Sequence, residues 1–325
     1  MDYQNWRELV INEWGAGQRI DVFLSRRFSK FSRSSIVRYI RSNDIVCVGR
    51  SIKPSSLLFL GDVLRIYIPG LAPPGPPPPI PDIVFEDSDI LVVNKPSGML
   101  VHPSGDLFTW TVITLCKMKY SEHCLDLAHR LDRETSGTLI ITKNKRSNSF
   151  MKKQLEKRSM NKVYKAIVHG IPDWDEFDLN APIMEHPDAE LRLRRTIHHD
   201  GAPSRTTFRV LKRLDQYSLI ECTLHTGRTH QIRVHLEHLG FPILGDKIYG
   251  QPDETFLGYL RNGVTQSLRR KTNFPRHALH AFSVSFLHPN GVRKSVEAPL
   301  PSDMQHVIDG FEASWPSLDN ENGSK

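Results

Sequence analysis

The sequence predicts an α+β protein. Its main domain has a central mixed or antiparallel sheet flanked by helices, and a small α/β unit precedes it. Three observations lead there. After residue 82, strand-like apolar runs outnumber helical patterns and follow one another at hairpin spacing. Residues 69–81 read PGLAPPGPPPPIP, a proline density that neither a helix nor a sheet interior tolerates. The stretch before them, residues 13–68, carries its own short helical and alternating patterns. With 325 residues and 39% hydrophobic residues, the chain is long enough for two domains, or one large domain with an appendage, and for a substantial core.

Within 13–68, Arg19-Ile20-Asp21-Val22-Phe23-Leu24 opens a short helix. Ser32 is an N-cap for a second helix, which buries Ile36 and Ile40 one turn apart and projects Arg33, Arg38 and Arg41. Ile45-Val46-Cys47-Val48 reads as a strand and Gly49-Arg50 as a turn. Leu64, Ile66 and Ile68 alternate with Val63, Arg65 and Tyr67, which is a strand period. Arginines along one helix face suit contact with an RNA backbone, and they equally suit an ordinary solvated face. Residues 69–81 read as a semi-rigid polyproline linker.

The main domain, 82–310, opens with strands at 83–86 and 90–95 and a Pro96-Ser97-Gly98 turn. A helix is expected over 111–119, a strand over 138–142, and a helix capped by Asn144 running to about 157. Residues 163–169 alternate, with Tyr164, Ala166 and Val168 on one side. Strands follow at 206–211 and 218–225, a short helix at 231–239 and a late strand at 279–287. The polar tail, 311–325, is expected to be disordered.

The net charge is +7, which favours a polyanionic partner such as nucleic acid. The four cysteines, Cys47, Cys116, Cys124 and Cys222, form no CxxC pair and no zinc-ribbon spacing, so a reducing, cytoplasmic setting is the simpler expectation. No signal-peptide pattern opens the chain, and no apolar run reaches the length of a membrane span. No P-loop or dinucleotide fingerprint is present, so a nucleotide cofactor and hydride transfer lack support.

One stretch organises the rest: His129-Arg130-Leu131-Asp132-Arg133-Glu134-Thr135-Ser136-Gly137. Asp132 lies in sequence between two arginines, Arg130 and Arg133, and a carboxylate held between two cations is expected to be ionised. Such a group on a loop at a strand end can serve as nucleophile or base, or brace the loop. Taken alone, the stretch favours the brace. Lys162-Val163-Tyr164-Lys165-Ala166 places a tyrosine on an apolar strand face, where a core role is the plainer reading. His225-Thr226-Gly227-Arg228-Thr229-His230-Gln231-Ile232-Arg233-Val234-His235 is rich in histidine and arginine. It lacks HExxH or any cysteine or carboxylate at ligand spacing, so an anion fits it better than a metal. Gly245-Asp246-Lys247-Ile248-Tyr249-Gly250 is a glycine-bracketed loop.

Together and in this order these stretches resemble the RluA-type pseudouridine synthases. Asn94-Lys95-Pro96-Ser97-Gly98, Val101-His102-Pro103 and Arg276-His277-Ala278-Leu279-His280-Ala281 extend the resemblance, which spans about 82–300. Ala128 and the Gly201-Ala202-Pro203-Ser204 segment depart from the family pattern without touching a proposed catalytic role. Residues 13–68 resemble the S4 RNA-binding domain through Gln18–Leu24, Ser32-Arg33-Ser34 with Arg38 and Ile40, and Gly61-Asp62-Val63-Leu64.

The first resemblance implies isomerisation of uridine to pseudouridine in RNA without cofactor or metal. Asp132 would be the nucleophile, acting at the base or at the sugar. Arg233 would be its ion-pair partner, with Arg228 as the alternative. Tyr164 would stack on the uracil or handle a proton, Arg130 would fill the space left by the flipped nucleotide, Leu279 would floor the base, and His129 would join the substrate contacts. The second resemblance makes Arg33, Arg38 and Lys53 candidate phosphate contacts. The expected partner is structured RNA, large-subunit ribosomal RNA ahead of transfer RNA, for a monomeric cytoplasmic enzyme with no membrane association. Two rivals stand beside it. A non-catalytic RNA-binding or ribosome-assembly protein would not need the Asp132, Tyr164 and Arg233 set. A glycoside hydrolase would need a second free carboxylate, for which Glu134 is the near candidate.

Overall fold

The computed structural model describes residues 7–28, 31–67, 77–102, 110–313 and 315. Most of the proline-rich stretch lies outside them; residues 77–81 belong to no helix or strand. The chain divides into two compact units, residues 1–79 with 102–114, and residues 80–101 with 115–325.

The first unit is a three-stranded antiparallel sheet with two helices. Strand β1 (Arg7–Val10) pairs with β3 (Val63–Ile66), and β3 pairs with β2 (Ile45–Cys47). Helices α1 (Ile20–Arg27) and α2 (Arg33–Arg41) supply Ile20, Leu24, Ile36 and Ile40 to one core with Ile45, Leu58, Leu64 and Ile66. Ser32 caps α2 as its sequence predicts, its Oγ accepting from the Ser35 N–H at 3.2 Å. β1 lies before residue 13, and the expectation for this unit did not include it: four residues give too short a window for a period.

In the second unit, β4 (Asp82–Glu86) and β5 (Ile90–Lys95) form the opening hairpin. They are followed by α3 (Val112–Lys119), which straddles the boundary between the units, then β6 (Asp126–Leu127), β7 (Ser136–Thr142) and α4 (Lys145–Glu156). Next come β8 (Asn161–His169), β9 (Glu176–Asn180), β10 (Ile183–Glu185), β11 (Arg195–Ile197), β12 (Arg205–Arg213) and β13 (Tyr217–Leu224). Helices α5 (Gln231–His238), α6 (Asp253–Asn262) and α7 (Gln266–Thr272) precede β14 (Leu279–Leu287), β15 (Arg293–Glu297) and α8 (Ser302–Ile308).

Ten of these strands form one sheet in the order β4-β5-β7-β14-β8-β13-β12-β9, with β6 on β7 and β15 on β14. The sheet is mixed: β7 and β14 run parallel, and the other pairs are antiparallel. All seven residues of β7 are buried, which explains why Ser136-Gly137-Thr138-Leu139-Ile140-Ile141-Thr142 reads as apolar without a polar alternate face. At the start of β7 the chain crosses β14 so closely that a Cβ on Gly137 would lie 2.2 Å from the Ala281 carbonyl oxygen. Gly137 also has φ +111°, so glycine is required on both counts. The late strand expected over 279–287 is β14, which lies beside β7 at the middle of the sheet. Of the expected tail, residues 311–313 and 315 are described and the rest lie outside the described residues; Trp315 Nε1 donates to Thr272 Oγ1 at 3.2 Å.

Candidate active site

The loop that ends in Asp132 is pinned from several sides. His129 Nε2 accepts from the Ile140 N–H at 3.2 Å, and the Ala128 N–H donates to the Ile140 carbonyl at 3.1 Å, so the loop folds back on β7. Lys95, fully buried at the end of β5, donates to the carbonyls of Pro96, Met99 and Arg133 at 2.8–2.9 Å. Ser97 Oγ donates to the Glu134 carbonyl at 2.8 Å. The Lys95-to-Met99 turn and the Asp132 loop are thereby joined through their backbones. Burial, and next the Arg276 charge, push the Lys95 ammonium down to about 7.

Asp132 takes its charge partner from α5. Arg233 is 5% exposed and donates through Nη1 to Asp132 Oδ2 at 3.0 Å. Its other face forks onto Asp246, Nε to Oδ2 at 2.6 Å and Nη2 to Oδ1 at 2.9 Å. Asp246 is itself fixed by the backbone N–H groups of Ile248 and Tyr249 at 2.9 and 3.1 Å. The guanidinium also lies 4.9 Å from the Tyr249 ring centroid. One cation thus serves two carboxylates, and the bidentate pair on the buried Asp246 sets its plane. Burial is the largest single effect and would raise the Asp132 carboxyl, but the Arg233 charge and hydrogen bond, together with His230 and His277, outweigh it and hold it below the usual carboxylate range. The Asp132 side chain remains 32% exposed, so an ionised oxygen faces outward from a fixed support.

His230 Nε2 stands 3.8 Å from the same Asp132 oxygen. Tyr249 Oη accepts from the Arg195 N–H at 3.0 Å and can donate its proton to His230 Nδ1 at 2.9 Å. That arrangement leaves the imidazole proton on Nε2, facing Asp132. Burial, and next Arg233, press the His230 pKa down to about 4, so the ring is neutral at pH 7.

Tyr164 lies on β8, buried among Ala166, Leu279 and Ile232, with Leu131 of the Asp132 loop packed on the same core. Its hydroxyl has no hydrogen-bond partner among the described residues. Burial, and then the Asp132 charge, push its pKa above the usual phenol value, so it is a protonated group within the field of Asp132. Leu279 begins β14 directly opposite Ala166.

The other expected residues divide. Arg130 is exposed and unpaired among the described residues. Arg228 is exposed, with Nε donating to the Pro203 carbonyl at 3.3 Å; the partner of Asp132 is Arg233. Three expectations need correction. Neither Arg130 nor Arg133 holds Asp132, because Arg133 Nε is turned to the Gly98 carbonyl at 2.9 Å. His129 is not a free substrate contact, since its Nε2 is spent on β7; burial, and next the Lys162 charge, lower its pKa to about 3. Arg33 is not a free phosphate contact either: Nε and Nη2 both donate to Asp21 Oδ2, at 3.0 and 2.7 Å. Arg38, Arg41 and the exposed Lys53 make no ion pair among the described residues, so Arg38 and Lys53 stay available to an anion and Arg41 joins them.

Glu134 supplies no second free carboxylate. It accepts from Lys247 Nζ at 2.6 Å and from the His277 N–H at 3.1 Å, which removes the arrangement a glycoside hydrolase needs. The metal alternative is likewise closed for His235, whose Nδ1 and Nε2 meet Thr206 Oγ1 and the Ala181 carbonyl at 2.9 and 3.1 Å. Asp246, His230 and Lys95 belong to the site through contacts that their residue types in sequence do not announce. The glycines bracketing Asp246 were the available signal: a Cβ on Gly245 would lie 1.9 Å from the Arg276 carbonyl oxygen.

Several known proteins are similar to this chain. The family profile for RNA pseudouridylate synthase matches residues 89–238. An RNA pseudouridine synthase of Bacillus subtilis, YlyB, is 34% identical over 322 residues, 94% of this chain and 98% of that protein. The ribosomal large subunit pseudouridine synthase D of Neisseria meningitidis serogroup A is 33% identical over 90% of this chain and 78% of its own length. The ribosomal large subunit pseudouridine synthase C of Buchnera aphidicola from Schizaphis graminum is 34% identical over 90% and 93%. Among solved structures, human RNA pseudouridylate synthase domain containing 1 superposes with a TM-score of 0.57 at 27% identity, covering 76% of this chain and 94% of that one.

Proposed function

Because the chain belongs to the RNA pseudouridine synthase family, we propose that Asp132 is its nucleophile and that its substrate is large-subunit ribosomal RNA. The reaction breaks the bond between uracil N1 and C1′, turns the base and joins C1′ to C5; C5 gives up its proton and N1 ends protonated, so the product is an isomer of the substrate. The observation that carries the assignment is the outward-facing Asp132 carboxylate, held ionised by Arg233, which is itself anchored on Asp246. A nucleophile must keep its charge without being covered, and this relay supplies both conditions.

Tyr164 would present its ring to the uracil and its unpartnered hydroxyl to a proton of the reaction. Arg130, free and two residues from Asp132, would enter the stack when the uridine leaves it. Extrusion costs a few kcal/mol, and a cationic plane in the vacated space offsets part of that. Leu279 and Leu131 would form the apolar floor beneath the base.

Ribosomal RNA is favoured over transfer RNA by the names of the Neisseria and Buchnera relatives. The N-terminal unit supports the same reading: as an S4-like module it would hold RNA backbone through Arg38, Arg41 and Lys53. Such an enzyme would work in the cytoplasm. Monomeric action is favoured because the Asp132 site is completed by residues of one chain. Among the described residues, no helix is long and apolar enough to cross a membrane.

The test is a map of pseudouridine in total RNA from cells with the gene deleted, restored, or restored as Asp132→Asn. Loss of defined pseudouridines in large-subunit ribosomal RNA, recovered by the wild-type gene alone, supports the reading. Loss confined to transfer RNA overturns the substrate, and recovery by Asp132→Asn overturns the nucleophile.

A further inference from the structure

We propose that Lys162, together with the Gly227-Arg228 turn, forms a phosphate subsite that holds the RNA phosphodiester next to the target uridine. The proposal rests on the assignment of Asp132 and RNA above, and adds to it the place where the backbone of the target nucleotide is gripped.

Lys162 is a cation with no counter-charge. It sits half-buried on β8, and among the described residues its ammonium has no carboxylate and no hydrogen-bond acceptor. Its surroundings are apolar. Across the two neighbouring strands it faces Leu224 and Val284, and Met160, 5% exposed, lies two residues before it. Burial lowers its pKa, with no opposing charge to hold it up. A charge kept in such a place is costly unless a ligand pairs with it.

Its position names the ligand. Lys162 and Tyr164 are two residues apart on one strand and so point to the same face. Its charge is felt by His129, the neighbour of Arg130 in the Asp132 loop. The ammonium also lies under the turn that leads into α5: a Cβ on Gly227 would come within 3.1 Å of Lys162 Nζ. The absence of a side chain there leaves the ammonium open where Arg228 follows. Arg228 uses only Nε on the protein, so its outer nitrogens stay free for an anion. From Thr226, one residue earlier, a cleft of about 590 Å³ continues past Arg158, unpaired among the described residues, and past Arg205, which is ion-paired with Asp178, a polar course for the flanking strand. An RNA nucleotide that places its uracil on Tyr164 carries a phosphate on either side of the sugar, and Lys162 is the unpaired cation on that strand face.

The test measures binding of a labelled large-subunit ribosomal RNA fragment at several salt concentrations. Lys162→Met should weaken binding about tenfold at 0.1 M salt and lower the slope of log K against log salt by about one, the signature of one lost phosphate contact. Lys162→Arg should restore the slope. A synthetic RNA with one uncharged methylphosphonate beside the target uridine should bind the unaltered protein as weakly as Lys162→Met binds normal RNA, and Lys162→Met should then cost nothing further. An unchanged salt slope in Lys162→Met, or an undiminished penalty on the methylphosphonate RNA, overturns the subsite. Binding is read without turnover, so a protein that makes no pseudouridine would defeat the proposed function and not this inference.

Discussion

Arg233 reaches across 101 residues of sequence to place its Nη1 3.0 Å from Asp132 Oδ2, while its other edge forks onto Asp246. The pairing explains how a carboxylate can be partly exposed and still firmly ionised. Removing the arginine strands a buried charge on Asp246 as well as freeing Asp132. Arg233→Met is therefore expected to lose about 3–5 kcal/mol of stability, the usual cost of breaking a buried pair from one side. Urea unfolding measures it; a loss below about 1 kcal/mol would contradict the relay. Arg233→Lys keeps a cation but cannot fork onto one carboxylate while reaching the other, so its activity should also fall.

Tyr164 separates core from chemistry. Its ring is buried, but its hydroxyl has no partner among the described residues, so Tyr164→Phe leaves no orphaned group. Stability should change by less than about 0.5 kcal/mol, and the rate should fall about a hundredfold if the hydroxyl handles a proton. Single-turnover kinetics decide this: an unaltered rate would return Tyr164 to a packing role.

Arg130 is exposed and makes no described contact, so Arg130→Ala should be neutral for folding, within about 0.5 kcal/mol. Pseudouridine formation should drop, and it should drop less on an RNA whose target uridine is already unpaired and unstacked. An equal loss on both RNAs would contradict a role in base extrusion.

Stability should fall on acidification in two stages. Burial presses His129 to about 3 and His230, His235 and His280 to about 4, all below the ordinary histidine value. The unfolded chain therefore binds more protons as pH drops below about 6.5, and stability declines from there. Asp132 and Asp246 are held below the carboxylate range, so the stability they contribute is present above about pH 4 and is lost below it. Lys95, lowered to about 7, acts in the alkaline window: the unfolded state binds more protons between about pH 7 and 10, so its contribution rises with pH there. Thermal melts between pH 3 and 10 check the order; a constant Tm from pH 6.5 to 4.5 would contradict it.

What could be read in advance follows from how local each feature is. Asp132, Tyr164 and Arg233 sit in dense stretches whose residue types announce chemistry. Ser32 and Asn144 announce their helices because capping is a contact within one turn, and both cap as expected. The partner of Asp132 was legible through the family resemblance; sequence adjacency pointed instead to Arg130 and Arg133. Adjacency misleads there because side chains in a loop turn to different sides, and Arg133 turned to Gly98. His129 was misread for a similar reason: its acceptor role depends on Ile140, eleven residues on, across a chain reversal. The β10–β11 hairpin has three residues in each strand and stays below the length at which alternation is distinguishable. Asp246 and Lys95 matter through tertiary contacts, which no residue pattern expresses.

The central claim is that Asp132 performs the chemistry on an RNA uridine, and Asp132→Asn tests it most directly. The substitution keeps the shape of the side chain and removes its charge. Pseudouridine formation on the mapped ribosomal RNA fragment, followed in a single turnover, should fall at least about a thousandfold while RNA affinity stays within about threefold. An Asp132→Asn protein that forms pseudouridine within about tenfold of the unaltered rate would contradict the account.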